Sequence, residues 1–482
     1  MARRRRRRGE FFLSEPIIRR IQSFLNGREA AQTTVLSKSW RQAWLTRPNL
    51  DFDFSQLSIV VEVSELMDKT IRRYEESNLK IESLSLIMGS SNCLCEDLII
   101  KALRMGVTRL SLQLSNENGC DQVLAEVLGS EHLVELSLQG CRIAPSPEHK
   151  IGCSRLKSLS LSEFKLESDE VIFGLLSGCP LLENLSLTGF VHGTVSLPNL
   201  PNLPKLKRLE LRYLRINSSF LGDLSCKFPL LRSFAFRCFY LESDLVISSP
   251  SIEHLDIETE RILGPVRLEF DVPSIRKFEF KSWENLPPSS LSFKSTSLRE
   301  WESHLYIKSH CCVGTVGVIG LNKLLTSLGQ SKIHLWIEVY KYNSERSFNY
   351  DVWEFNGLTL HQVEELTIDG MDCKVPSLTN FALFDGLFRL CRPKLITQQN
   401  QASYQSDFLF KTFLRHGTNH VCSARSLCMY GLRQLEEVRG QIFYEDVDTW
   451  RLIPLDAWDA FKEHKKIRFQ LRWREEESQQ VN

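Results

Sequence analysis

Three stretches carry residues whose types and spacing could do chemistry. "HGTNHVC" sets His416 and His420 four apart with Cys422 close behind, a loose spacing for a metal ion. Gly417, Thr418 and Asn419 do not favour the helix that would align the two rings, so a polar loop is expected instead. "VGTVGVIG", Val313 to Gly320, is glycine-rich, but it lacks the lysine of a phosphate-cradling loop and the spacing of a dinucleotide fingerprint. A loop or strand entering the next helix is expected there. "VLSKSWRQAW", Val35 to Trp44, sets two tryptophans four apart beside Lys38 and Arg41, downstream of six arginines, Arg3 to Arg8. Basic and aromatic groups so interleaved suit a nucleic acid or a helix that docks another protein.

The bulk chemistry favours the second option. Among 482 residues, Lys and Arg number 60 and Asp and Glu 59, a net charge of only +1. The arginine run is therefore local, and no general attraction to nucleic acid follows. No zinc-finger or RNA-binding signature accompanies it, so specific nucleic-acid binding is not expected. Arg3, Arg4, Arg5, Arg6, Arg7 and Arg8 are a candidate nuclear-import signal, set against a solvated tail. No H-E-x-x-H or G-x-S-x-G is present, so the chain is not expected to be an enzyme, and no metal site or cofactor is expected. Of the fourteen cysteines, Cys93 and Cys95 are two apart and Cys311 and Cys312 adjacent, with no C-x-x-C. Reduced thiols in the cytosol or nucleus are expected. There is neither an eighteen-residue apolar run nor the apolar segment of a secretory signal at the N-terminus, so no membrane span is expected.

The elements that would position these residues are legible in a repeat. "LSL" occurs five times, at Leu84–Leu86, Leu110–Leu112, Leu136–Leu138, Leu159–Leu161 and Leu185–Leu187. An apolar residue precedes each by three: Ile81, Val107, Leu133, Leu156, Leu182. The frame continues as Leu206/Leu209/Leu211, Leu231/Phe234/Phe236, Ile252/Leu255/Ile257 and Ile275/Phe278/Phe280. Its starts lie 26, 26, 23, 26, 24, 25, 21 and 23 residues apart, the spacing of leucine-rich repeats. The alternation predicts a short strand with one buried face. Linkers such as "SDEVIFGLLSGCP" and "CDQVLAEVLGSEH" predict helices, the first capped by Ser168. A strand and a helix cannot bury their apolar faces alone, but stacked neighbours can, as a curved solenoid. Cys141 takes the asparagine-or-cysteine slot of the consensus and reads as a small buried hydrophobe. Phe164, Phe190, Leu214, Phe239, Glu260 or Trp283 stand there elsewhere, so aromatic filling replaces an asparagine ladder.

Past Ile307 the periodicity weakens. "IHLWIEV" and "VEELTIDGM" predict further strands, with "YNSERSFNYD" a loop between them. "SLTNFALFDGLFRLCRP" predicts a helix stopped before Pro393, and "IRFQLRW" a strand. This region is expected to hold atypical last repeats and a C-terminal cap.

Residues 11–54 have another texture. Ser14 is positioned to cap a helix with Pro16 in its first turn. Ile17, Ile18, Ile21, Phe24 and Leu25 follow on one face. Asn26–Gly27 predicts a turn, "REAAQTTVL" a second helix, and Ser37 or Ser39 the cap of a third that carries Trp40, Ala43 and Trp44 on one side. Three helices in about forty residues cannot bury so many large side chains. Some must be exposed or must cover another chain.

The stretch from Leu13 to Trp44, followed by "RPNLDFD", resembles the F-box. It matches at Leu13, at Ile21 to Leu25 and at Val35 to Trp40, and the whole chain resembles the plant F-box/LRR-repeat proteins. It departs from them where Ser14 follows Leu13 in place of proline, at Gln22 in place of leucine and at Asn26 in place of proline. The fold implied is α/β: a three-helix F-box, then a curved leucine-rich-repeat solenoid with an atypical C-terminal cap. The divisions are 1–10 disordered tail, 11–54 F-box, 55–80 linker or N-terminal solenoid cap, 81–376 repeats, and 377–482 last repeats and cap.

The resemblance implies a substrate receptor of an SCF-type ubiquitin ligase in the nucleus, the cytoplasm or both. Leu13, Pro16, Ile17, Ile21, Leu25, Val35, Leu36 and Trp40 would bind an SKP-type adaptor and through it a cullin, and the repeats would bind an unidentified protein substrate. Trp44 and "PNLDFD" would pack against the first repeats. The alternative is a repeat scaffold with a degenerate F-box and no ligase role. The outward strand positions of the early frames are small: Ser137, Ser158, Ser160, Ser162, Ser186, Thr188. From the sixth frame they become charged: Arg208, Glu210, Arg212, Arg237, His254, Asp256, Glu258, Lys277, Glu279 and Lys281. This change along the concave face places the substrate at the charged strands, against an ordinary solvated face.

Overall fold

The structure, a computed structural model, describes residues 13–53, 60–87, 96–114, 121–143, 153–166, 169–190, 196–197, 200–216, 221, 224–264, 266–283, 291–295, 299–309, 315–339, 359–369, 377–398, 409, 412–413, 430–444, 447–453 and 466–474. Arg3–Arg8, Ser168, "YNSERSFNYD" and "HGTNHVC" lie outside them. The chain is a mixed α/β protein rich in parallel strands, and it forms two compact units, Met1–Arg215 and Ile216–Asn482.

The first unit starts with three helices, α1 (Glu15–Gln22), α2 (Gly27–Gln32) and α3 (Lys38–Leu45). Asn26–Gly27 is not the expected turn. Asn26 caps α2: its side chain accepts from the Glu29 N–H at 2.9 Å, and the Glu29 carboxylate accepts from the Asn26 N–H at 3.0 Å. That reciprocal pair satisfies two helix-end donors, which outweighs the turn preference of Asn-Gly. Gly27 suits the position because a Cβ there would stand 2.9 Å from the Asp51 carbonyl oxygen. Helix α1 also stops earlier than the apolar spacing suggests, at Gln22, leaving Phe24 exposed under the Arg20 guanidinium, 4.6 Å from its ring.

Strands β1 (Asn49–Asp53), β2 (Ser83–Ile87), β3 (Arg109–Gln113), β4 (Glu135–Gln139), β5 (Ser158–Ser162), β6 (Asn184–Thr188) and β7 (Arg208–Arg212) follow. Each pairs with the next in parallel and in register, so Leu50, Leu84, Leu110, Leu136, Leu159, Leu185 and Leu209 form one ladder. The register is locked at the strand entrances. The Glu82 carbonyl accepts from two successive amides of the next frame, Thr108 and Arg109, both at 3.1 Å. Thr108, Val134, Lys157 and Glu183 repeat the arrangement. All three apolar residues of all nine frames are buried.

Helix α4 (Val60–Glu76) precedes β2, and α5 (Glu96–Arg104), α6 (Asp121–Leu128) and α7 (Asp169–Ser177) return the chain between strands. Cys141, Phe164 and Leu214 are buried in the slot position, while Phe190, Phe239, Glu260 and Trp283 are only half-buried, so aromatic filling there is partial.

The second unit continues the parallel pattern through β8 (Ser233–Leu241), β9 (His254–Ile262), β10 (Lys277–Ser282), β11 (Glu302–Ser309), β12 (Lys332–Val339), β13 (His361–Asp369) and β14 (Cys391–Gln398). Its first crossovers form strands rather than helices: Leu245–Ser248, Leu268–Asp271 and Leu291–Ser295 make a separate parallel ribbon. Phenylalanines replace leucines in the layer beneath. Phe278 lies 5.5 Å from Phe270 and 5.2 Å from Phe293, ring centre to ring centre. Helices α8 (Thr315–Ser327) and α9 (Ser377–Leu390) precede β12 and β14. Thr315–Gly320 is thus the start of a helix, not a loop or strand. The pairing then turns antiparallel: β15 (Leu435–Tyr444), β16 (Thr449–Ile453) and β17 (Ile467–Trp473) join as β14–β17–β15–β16.

Candidate functional site

In the first unit, the helices leave an apolar face open. Ile18 and Ala43 are buried between α1 and α3, and Ala30 is buried on α2. Leu13, Pro16, Ile17, Val35 and Leu36 are exposed, and Ile21, Leu25 and Trp40 are half-buried. Val35, at 86% exposed, and Leu36, at 62%, sit on the short turn between α2 and α3. None of these eight residues is used up in the core of the three helices. Lys38 and Arg41 lie on the solvent side of α3, and Ser37 caps it by accepting from the Trp40 N–H at 3.4 Å.

The helices are fixed to each other and to β1 by buried polar groups. Gln22 donates to Thr33 Oγ1 at 2.8 Å and to the Trp40 carbonyl at 3.1 Å. Arg47 donates to the Leu25 carbonyl at 2.6 Å and meets Asp51 at 3.0 Å. Tyr74 of α4 donates to the Arg47 carbonyl at 2.6 Å. Apart from Gln22, the two unusual residues are also structural: Ser14 precedes α1 in extended conformation with its carbonyl accepting from Ile17 and Ile18, and Asn26 is the α2 cap.

The outward strand positions divide between the units. Arg208, Glu210 and Arg212 belong to the first. There Arg212 donates from Nε to Glu210 at 2.6 Å, and Ser186 donates to Glu210 at 2.9 Å. Seven lie in the second, where strand register gathers them. His254 stands beside Lys277, Asp256 beside Glu279, Glu258 beside Lys281, and Arg237 beside Glu258. Their charges are mostly paired: Lys277 with Glu279 at 2.7 Å, Lys281 with Glu279 at 3.0 Å and with Asp256 at 3.4 Å, and Arg237 with a nearly buried Glu258. Burial pushes Glu279 up, but hydrogen bonds from Lys277 and Lys281 outweigh it and hold the carboxyl down to about 2. Burial raises Asp256 above its ordinary value; Lys281 opposes the rise and the Glu279 charge adds to it.

The same face continues past Trp283 into β11 and β12. Trp283, Tyr306 and Trp336 form a row with ring centres 5.7 and 5.2 Å apart. Trp283 Nε1 donates to Glu258 at 3.1 Å, and Lys308 Nζ stands 4.6 Å over the Trp283 ring. Tyr306 donates to Glu338, which also pairs with Lys308 at 3.6 Å. Beside the row, His304 and His334 stack with centres 4.5 Å apart and planes 4° from parallel. Glu302 lies 3.4 Å from His304, and donor atoms of Glu302, His304 and His334 all fall within 4.8 Å of one another. A signal for this was present: "HLYIK" at 304–308 and "HLWIE" at 334–338 are the same outward-inward pattern.

Comparison with characterised families gives three points of reference in Arabidopsis thaliana. An F-box/LRR-repeat protein is 33% identical over 199 residues, 39% of this chain and 43% of that protein. F-box/LRR-repeat protein 25 is 30% identical over 176 residues, 36% of this chain and 65% of its own length. An F-box/FBD/LRR-repeat protein is 34% identical over 195 residues, 39% of this chain and 46% of its own. Each match thus spans less than two thirds of the relative. No family model matches the chain.

Proposed function

From this kinship with the plant F-box/LRR-repeat family, we propose that the chain is the substrate-recognition subunit of an SCF-type ubiquitin ligase. The F-box/LRR relatives imply a substrate-adaptor kind of role, and proteins of that kind are in general not themselves enzymes. In this reading α1–α3 are a three-helix F-box and the repeating strands a leucine-rich-repeat solenoid. Leu13, Pro16, Ile17, Ile21, Leu25, Val35, Leu36 and Trp40 dock an SKP-type adaptor, which brings the cullin. Ubiquitin transfer falls to the other subunits.

The observation that carries the reading is the open apolar face, centred on Ile17, Val35 and Leu36, on helices held rigid from behind by Gln22 and Arg47. Burying one large aliphatic side chain contributes about 1.5–3 kcal/mol, enough for a few such groups to support stable docking. The substrate surface is the outward strand face of the second unit, where the paired charges of β8–β10 adjoin the Trp283–Tyr306–Trp336 row. Such a surface orients a partner by charge and anchors it on aromatic rings. Arg3–Arg8 direct the protein to the nucleus, in addition to any cytoplasmic pool.

The test is co-purification of the full chain with an SKP-type adaptor and cullin, followed by proximity labelling with the proteasome inhibited. The reading expects both subunits to be recovered and a labelled protein to accumulate. Recovery of neither subunit would favour a repeat scaffold without a ligase role.

A further inference from the structure

We propose that Glu302, His304 and His334 form a zinc-class divalent metal site on the outward strand face of the second unit, with a fourth coordination position open to solvent. The placement follows from strand geometry. Glu302 and His304 are two apart on β11 and project to the same face. His334 is the direct parallel neighbour of His304 on β12. Three donors thus converge from a two-residue spacing on one strand and one residue on the next.

The donor set is two imidazoles and one carboxylate, which suits zinc and other first-row divalent metals. The donor atoms lie within 4.8 Å of one another. Tetrahedral zinc with bonds of about 2.0–2.1 Å requires them about 3.3 Å apart. The stacked rings must tilt out of parallel so that their in-plane lone pairs converge, and Glu302, exposed on a flexible stem, must swing inward. Both are side-chain rotations that leave the paired strands in place.

A second carboxylate stands behind the site: His334 Nδ1 lies 3.7 Å from Glu365, just beyond hydrogen-bond reach, and the ring tilt that metal binding requires would close that gap and leave Nε2 for the metal. Glu365 is itself fixed by the Thr397 hydroxyl, which donates at 2.5 Å. A carboxylate behind a metal-binding imidazole sets its tautomer and orientation. The site stands on this geometry alone and does not depend on the receptor reading.

The full-length protein, stripped of metal, is titrated with Zn2+ against a chromogenic chelator. A His304→Ala/His334→Ala variant is measured beside it, with a thermal melt to confirm folding. The wild type should hold one more equivalent than the variant, and Glu365→Gln should weaken that equivalent about tenfold. Equal equivalents at equal affinity in wild type and variant would overturn the proposal. Should the variant fail to fold, Co2+ substitution of the wild type decides. Four- or five-coordinate ligand-field bands without thiolate charge transfer are expected. Cobalt held entirely at thiolate sites, or not at all, overturns it.

Discussion

The Gln22 side chain is 1% exposed and donates to the main-chain carbonyl of Trp40, tying α1 to α3 across 18 residues of sequence. Its second donor contact, to Thr33, reaches the turn that carries Val35. Gln22, which stands where the F-box that this stretch resembles usually has leucine, is therefore an internal fastener and not part of the open face. Gln22→Ala removes both contacts and leaves a cavity, so the three helices should lose about 2–3 kcal/mol. Gln22→Leu refills the volume and should lose less, because Gln22 Oε1 is buried without a hydrogen-bond partner and that burden is removed. Hydrogen exchange at the amides of residues 15–45 reads both changes; equal protection in wild type and Gln22→Ala would refute the fastener role.

Tyr74→Phe deletes one buried hydroxyl and keeps the ring. Loss of its 2.6 Å bond to the Arg47 carbonyl should cost about 1 kcal/mol, measured by urea unfolding. A loss well above that would mean the ring shifts, and none would mean that water replaces the hydroxyl.

Acid should loosen the second unit. His361 is buried, with Nε2 3.3 Å from Asn322 Oδ1 and 3.3 Å from Thr326 Oγ1, and burial lowers its imidazole, as it does for His304. Unfolded histidines protonate near about pH 6.5. Below that the unfolded chain binds more protons than the folded one, so the stability these residues contribute is present above pH 6.5 and falls as pH drops through their folded values. The thermal midpoint should decline between pH 7.5 and 5.5, and His361→Gln should flatten part of the slope. A midpoint that rises on acidification over this range would contradict the sign.

Lys281 serves two carboxylates, Glu279 and Asp256. In Lys281→Met both should titrate higher than in the wild type, Glu279 rising from about 2. Carboxyl carbon shifts followed by NMR report the change, and an unmoved Glu279 would show that Lys277 alone holds it down.

The repeat frames were legible because burial on one strand face imposes a period on the leucines: Leu84 to Leu209 fall in one register. The N-terminal helices were legible for the same reason, though Asn26 was misread because its capping partner Glu29 was not weighed against the turn preference of Asn-Gly. The ribbon at Leu245–Ser248 and its neighbours was missed because four alternating residues inside a linker carry too little pattern. Strand β14 was missed because Pro393 usually argues against an interior strand. Here it pairs in register with Val363, and its carbonyl accepts from Trp473 Nε1 at 2.8 Å. The charged residues of the strand face were named from their spacing, but which of them meet depends on register. His304 and Tyr306 escaped because the apolar frame breaks just before them, where Ser303 takes the buried position paired with Phe278; His334 and Trp336 lie on the expected strand "IHLWIEV", but that they face His304 and Tyr306 depends on register.

The proposed receptor role rests on docking of an SKP-type adaptor at the open face of α1–α3. Calorimetric titration of the full chain with purified adaptor tests it, in the wild type and in an Ile17→Asp/Val35→Asp/Leu36→Asp variant whose helix content is checked by circular dichroism. Each lost apolar contact costs about 1.5–3 kcal/mol, and about 1.4 kcal/mol is tenfold in affinity. Binding is expected in the wild type, with at least a hundredfold loss in a variant of unchanged helix content. Equal affinity in both proteins, or no binding by the wild type, would contradict it.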